Sequence, residues 1–228
     1  MESPPRPRST RDRPAKPPLS EALILDTALR ILREEGLDAV TMRRLATELD
    51  TGPASLYVYI RNREQLLNAL LDRISGMVAL EEPDPARWRE QLHRLVNGIL
   101  KVMEGHRGIA RVSIANVPTG ENSLRVADNL MGLLLAGGVT PRDAAWACDI
   151  LPLITVASAV ETATYQERGD DQGDIADELA AVFSRLSADR FPNLMRHSAE
   201  LVSGDGDERF RYAIDVFLDG LVARAQRS

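Results

Sequence analysis

Residues 41–63 read TMRRLATELDTGPASLYVYIRNR, and this stretch decides the fold. Leu45, Ala46 and Leu49 recur on one face of a 3.6-residue period, so a short helix is predicted, with Thr41 as its N-terminal cap. Asp50, Thr51, Gly52 and Pro53 end it, with Gly52 expected to supply the backbone freedom for the reversal. Pro53 suits the first position of a second helix, because the missing N–H would have no partner there. That helix is predicted to run to about Tyr59, burying Leu56 and leaving Ser55, Tyr57, Val58 and Tyr59 free. Asn62 can cap a further helix, with Gln65 three residues on completing a pattern like a capping box. Two short helices crossing around a tight turn make a helix-turn-helix, whose second helix enters the DNA major groove.

Outward from this stretch the periodicity stays helical. Ser20 can cap a helix that stops at Gly36. The helix capped by Asn62 is expected to continue through Leu66, Leu67, Leu70, Leu71 and Ile74 toward Leu80, before a charged break at 81–85. Further helices are predicted over 86–104, 107–115, 123–135, 140–167, 174–186, 193–202 and 207–225, with Pro152 bending the longest. No strand alternation of useful length occurs, so the fold class is all-α. Residues 1–18 hold six of the 13 prolines and five cations, a composition expected to stay disordered or to act as an arm on DNA.

The segment Leu19–Arg73 resembles the DNA-binding domain of the tetracycline-repressor (TetR) family. Ile24, Ala28, Leu32 and Gly36 resemble its first helix, and Leu37, Val40, Thr41, Arg43, Leu45 and Ala46 its second. Residues 53–60, PASLYVYI, are similar to its recognition helix, and 62–67, NREQLL, to the start of its fourth helix. The resemblance implies a DNA-binding head over 19–65 and a ligand-binding and dimerisation domain over 66–228. It places Arg43, Pro53, Ala54, Ser55, Tyr57, Val58, Tyr59 and Arg63 at DNA-contacting positions. Ser can exchange hydrogen bonds with base edges, Ala and Val can touch a thymine methyl, and Arg43 is long enough to reach guanine or phosphate. Phosphate contacts by Tyr57, Tyr59 and Arg63 would fix register.

The likeness extends into the second domain through Trp88, through His106, Arg107, Ala110, Val112, Pro118 and Thr119, and through Glu161, which falls where the tetracycline repressors have a metal-associated glutamate. The chain departs where those repressors hold the drug and its magnesium. Ala79 and Ser113 replace histidines, Leu95 an asparagine and Ile99 a phenylalanine. The expected effector is therefore more apolar, contacted by Leu95, Ile99 and Met103, with Ser113, Asn116, Thr155 and Glu161 as polar anchors. No metal or other cofactor is expected. The resemblance also implies a homodimer through helices near 143–167 and 207–225, setting two heads on a palindromic double-stranded operator.

Composition bounds the alternatives. The net charge of −6 is uneven: residues 1–63 carry +2 and the remainder −8, so the basic excess lies on the DNA-reading end. No run approaching the roughly 20 apolar residues of a membrane span is evident, and the single cysteine, Cys148, agrees with a reducing cytoplasm. The three histidines have no partner at helical metal spacing, and neither a glycine-rich phosphate loop nor a nucleophile elbow is present, so an enzyme is not expected. Two alternatives remain at this stage, a DNA-binding dimer without an effector and a helical ligand-binding protein.

Overall fold

The structure is a computed structural model, which describes residues 17–106, 108–115, 117, 119–169 and 172–227. The readings attached to residues 1–16 and to Arg107, Asn116 and Pro118 lie outside the described residues. Twelve α-helices and no strand occur among the described residues. They are α1 (Glu21–Glu35), α2 (Met42–Glu48), α3 (Pro53–Leu56), α4 (Arg63–Ser75), α5 (Trp88–Glu104), α6 (Ile109–Ala115), α7 (Glu121–Ala136), α8 (Pro141–Arg168), α9 (Gln172–Phe183), α10 (Pro192–Arg196), α11 (Ser198–Leu201) and α12 (Gly206–Ala225).

Side-chain caps fix five of the starts. Ser20, Thr41, Asn62 and Thr140 each accept a backbone N–H three residues on, from Leu23, Arg44, Gln65 and Asp143. Asp205 and Glu208 form a reciprocal capping box at the start of α12. Gln65 closes its pattern one residue earlier than the motif requires, its Oε1 accepting from the Arg61 N–H at 2.7 Å.

Helices α1 to α4 form a small head. Ile24, Ala28, Ile31 and Leu32 of α1 meet Leu45, Leu56, Ile60, Leu66 and Leu70, all nearly or fully buried. In the body α5 and α8 pack along each other, with α6 and α7 against both and α12 laid on α8. Helix α4 belongs to both parts: Leu66 and Leu70 sit in the head core, while α6 and α7 pack against the same helix from the body.

Several boundaries depart from the sequence reading. The reversal after α2 does not use Gly52, which is extended at φ −77°; Asp50 takes the left-handed conformation at φ 47°. Thr51 N–H donates to Ala46 O and Asp50 N–H to Thr47 O, a Schellman closure with aspartate where glycine is usual. Helix α3 ends at Leu56, and 57–59 continue as a turn in which Tyr59 and Ile60 N–H both donate to Leu56 O. Helix α4 stops at Ser75 instead of reaching Leu80: Gly76 N–H still donates to Asp72 O, but Met77 and Val78 N–H donate to Ile74 O and Ser75 O, and the chain turns there. The segment 193–202 is split into α10 and α11 at His197.

By length and composition α8 does qualify as a membrane span, with a mean hydropathy of 1.4, which the sequence reading did not expect. Its apolar content serves packing instead: Ala144, Ala147, Leu151, Val156 and Ala159 fill the core between α5, α6 and α7, as the central helix of a helical domain does.

Candidate functional site

The exposed end of the head is built on two anchors. Leu56 and Ile60 are fully buried, four residues apart, and they pin the segment from Pro53 to Tyr59 to the head core. Everything between and before them points out: Pro53, Ala54, Ser55, Tyr57, Val58 and Tyr59 are exposed, Val58 at 79%. With Tyr57 and Tyr59 also exposed, this turn presents an apolar and aromatic face to solvent.

Two adjacent arginines on α2 have opposite fates. Arg44 is held by Glu35 and Glu48, and Arg30 bridges Glu34 and Glu48, so these five charged residues lace α1 to α2. The hydrogen bonds Arg44 donates to Glu35 and Glu48 raise its pKa further, and the one it gives Glu48 holds that carboxyl below its usual range. Arg43 is exposed and makes no ion pair among the described residues, which leaves its five donors for another molecule. Arg63 is exposed at the start of α4, with Nε donating to Val40 O at 3.3 Å. That bond ties the start of α4 to the segment leading into α2. The structure therefore brings all eight sequence-named positions, Arg43, Pro53, Ala54, Ser55, Tyr57, Val58, Tyr59 and Arg63, to exposed sites on the head.

A second feature is a cavity of about 330 Å³ inside the body, walled by α4, α5, α6, α7 and α8. This is within the range that holds small ligands. Of the ligand positions named from sequence, Ile99, Met103 and Ser113 line it. The others are placed elsewhere. Leu95 is buried in the core one turn before Ile99 and does not line the cavity. Thr155 is fully buried, and its hydroxyl donates to Leu151 O at 2.9 Å. Glu161 lies beyond the cavity, exposed, accepting the Tyr165 hydroxyl at 3.1 Å, which raises the Tyr165 pKa. Asn116 lies outside the described residues.

The sequence reading missed the walls supplied by Leu71 and Ser75 of α4, Ser123, Val126 and Leu130 of α7, and Pro152 of α8. The signal for the serines was present: each interrupts an apolar helical stripe. Cys148 also faces the cavity, but burial pushes its thiol pKa up, which disfavours the reactive thiolate.

Comparison with known proteins decides the family. The model for bacterial regulatory proteins of the tetR family matches residues 24–70, and that for the tetracyclin repressor-like C-terminal domain matches 82–225. The chain belongs to the TetR family. As a TetR-family member it is a ligand-responsive DNA-binding repressor. It is similar to ActR of Streptomyces coelicolor, solved in complex with actinorhodin, at 38% identity and TM-score 0.83, covering 91% of this chain and 99% of that one. It is 26% identical to the HTH-type transcriptional repressor DrrR1 of Streptomyces coeruleorubidus, over 93% of this chain and 81% of the relative. With the class G tetracycline repressor protein of Vibrio anguillarum it shares 25% identity over 89% and 93%.

Proposed function

We propose that this TetR-family chain works as a homodimer on a palindromic operator in the cytoplasm and is released by a small, largely apolar effector bound between α4 and α8. The observation that carries the DNA half is the outward face of 53–59 clamped by Leu56 and Ile60, with Arg43 beside it. Val58, Ala54 and Ser55 are the base-reading candidates, and Tyr57, Tyr59 and Arg63 the register-setting ones. The cavity favours an effector over a merely dimerising second domain. Ile99, Met103 and Ser113 are the proposed contacts from the original set, joined by Ser75, Ser123 and Leu130.

An apolar face supports the dimer. Trp146, Ile150 and Leu153 lie at i, i+4 and i+7 on α8, all exposed, and Tyr212 and Val216 continue the face on α12. Gly220, one turn further, has open space where a side chain would be, which permits close backbone approach by a second copy.

Mobility shift with fragments selected from genomic DNA tests the reading, and a duplex so selected is the operator for the variants below. Arg43→Ala should weaken that duplex by about 1–3 kcal/mol relative to random DNA if the guanidinium reads a base. An equal loss on all sequences would demote it to a phosphate contact. Arg63→Ala should act alike on every duplex and lower the salt slope by about one unit; an unaltered slope removes it from the contacts. Actinorhodin, the compound bound by ActR, is the first candidate effector. A rise in melting temperature together with loss of the shifted band is the expected result.

A further inference from the structure

The wall of the cavity contains a hydrogen-bonded seam between the helix that carries the head and the body. Ser123 of α7 donates its hydroxyl to Ser75 Oγ of α4 at 3.2 Å, and Ser75 donates to Leu71 O at 3.0 Å. Immediately outside the wall, Asp72 of α4 receives two donors from the start of α7: Ser123 N–H on Oδ1 at 2.9 Å and Asn122 Nδ2 on Oδ2 at 3.1 Å. The approach is close enough to forbid a side chain on Gly120, whose Cβ would stand 2.2 Å from the Asp72 carboxyl. The seam is thus continuous from the cavity surface, through Ser75 and Ser123, to a carboxylate that orients α4 on α7.

We propose that this seam converts occupancy of the cavity into movement of the head, and that the effector which works it is an apolar molecule carrying a hydrogen-bond-accepting oxygen. This inference rests on the regulator reading above. Ser75 and Ser123 are cavity-lining hydroxyls in a wall otherwise made of Leu71, Val78, Val126 and Leu130 at this place. In the closed seam both hydroxyl protons are already used, one on Leu71 O and one on Ser75 Oγ. An acceptor oxygen placed against this wall gains the Ser123 proton only by drawing it away from Ser75. It therefore binds the opened seam better than the closed one, which is the differential affinity any shift requires. Opening at Ser75 and Asp72 turns α4 as one body. Leu66 and Leu70, within about two and a half turns back along the same helix, sit in the head core, so the reader turns with it.

The test is effector-free at first. The full-length dimer and its variants are titrated with the operator duplex selected by the wild-type protein. Asp72→Ala and Gly120→Ala, which open the seam by deletion and by steric pressure, should each bind about tenfold or more weakly. Asp72→Asn keeps an acceptor for the Ser123 N–H and should stay within about threefold of wild type. Far-UV circular dichroism and sedimentation separate this from misfolding. If Asp72→Ala proves unfolded, Gly120→Ala decides alone. Wild-type affinity in a folded Asp72→Ala or Gly120→Ala overturns the seam while leaving the regulator reading intact. Failure of the wild-type chain to select any duplex sinks both. The effector chemistry is probed with fluorenone and fluorene, matched skeletons with and without a carbonyl. Fluorenone should weaken operator binding more than fluorene, and the difference should vanish in Ser75→Ala/Ser123→Ala. Equal behaviour of the two probes overturns the acceptor-oxygen assignment.

Discussion

Leu56→Ala is expected to abolish operator binding by unfolding the head, although Leu56 itself touches no DNA. Its side chain is fully buried while its neighbours Ser55 and Tyr57 are exposed. Helix α3 has only four residues, far short of what holds a helix in isolation, so its position depends on this anchor and on Ile60. Truncation removes the isopropyl end of the side chain and leaves a void, which in packed cores costs about 2.7–5 kcal/mol. A head of roughly 55 residues has stability of similar size, since small domains bury too little surface for a wide margin. Val58→Ala is the matched control. Val58 is 79% exposed, so its truncation should leave the thermal melt within about 0.5 kcal/mol of wild type, with any effect confined to DNA affinity. Circular dichroism melts and mobility shifts on the two variants check this. Full affinity and an unmoved transition in Leu56→Ala would mean that α3 is held by something other than its core contact.

The contrast between these two residues shows why the head was legible in sequence. Capping is a three-residue event, so Ser20, Thr41, Asn62 and Thr140 announced their helices without tertiary context. Leu56 and the exposed residues around it follow from a single helical turn. Where the reading failed, the cause lay in hydrogen bonds and packing that single-residue preferences do not carry. Gly52 was the natural guess for the reversal, yet the hydrogen bonds of Thr51 and Asp50 back to Ala46 and Thr47 place the left-handed residue at Asp50. The last turns of α4 lie against α7, with Asn122 bonded to Asp72, 50 residues away in sequence. The cavity is harder still, because five helices converge on it. Leu95 and Ile99 are one turn apart on α5, but the first is absorbed by the core and only the second reaches the cavity. Glu161 follows from a family position and Thr155 only from being polar in an apolar helix, and neither says which way a side chain turns. Ser75 and Ser123 needed their pairing across α4 and α7 before either acquired a role.

Trp146→Asp is expected to break the proposed dimer and to weaken operator binding by at least about a hundredfold. Trp146 is 55% exposed on α8, with the Arg142 guanidinium 4.5 Å above its ring, while Ile150 and Leu153 extend the same face by two turns. Exposed tryptophan on an apolar stripe has the profile of an interface anchor, whose loss typically costs 2 kcal/mol or more. Placing a carboxylate there adds the penalty of burying an unpaired charge against a symmetry-related copy, where it would meet the same substitution or its near neighbours. The effect on DNA is larger than the effect on the interface alone. Two linked heads bind a palindrome with the second contact made intramolecularly, a gain of about 10²–10⁴ that a monomer forfeits. Sedimentation should show the variant as a monomer at concentrations where the wild type is dimeric, with the helical content retained, because Trp146 is not part of the buried core. Half-site duplexes should be bound equally by both proteins, and the full palindrome only by the wild type with high affinity. A dimeric Trp146→Asp protein would move the interface off this face of α8.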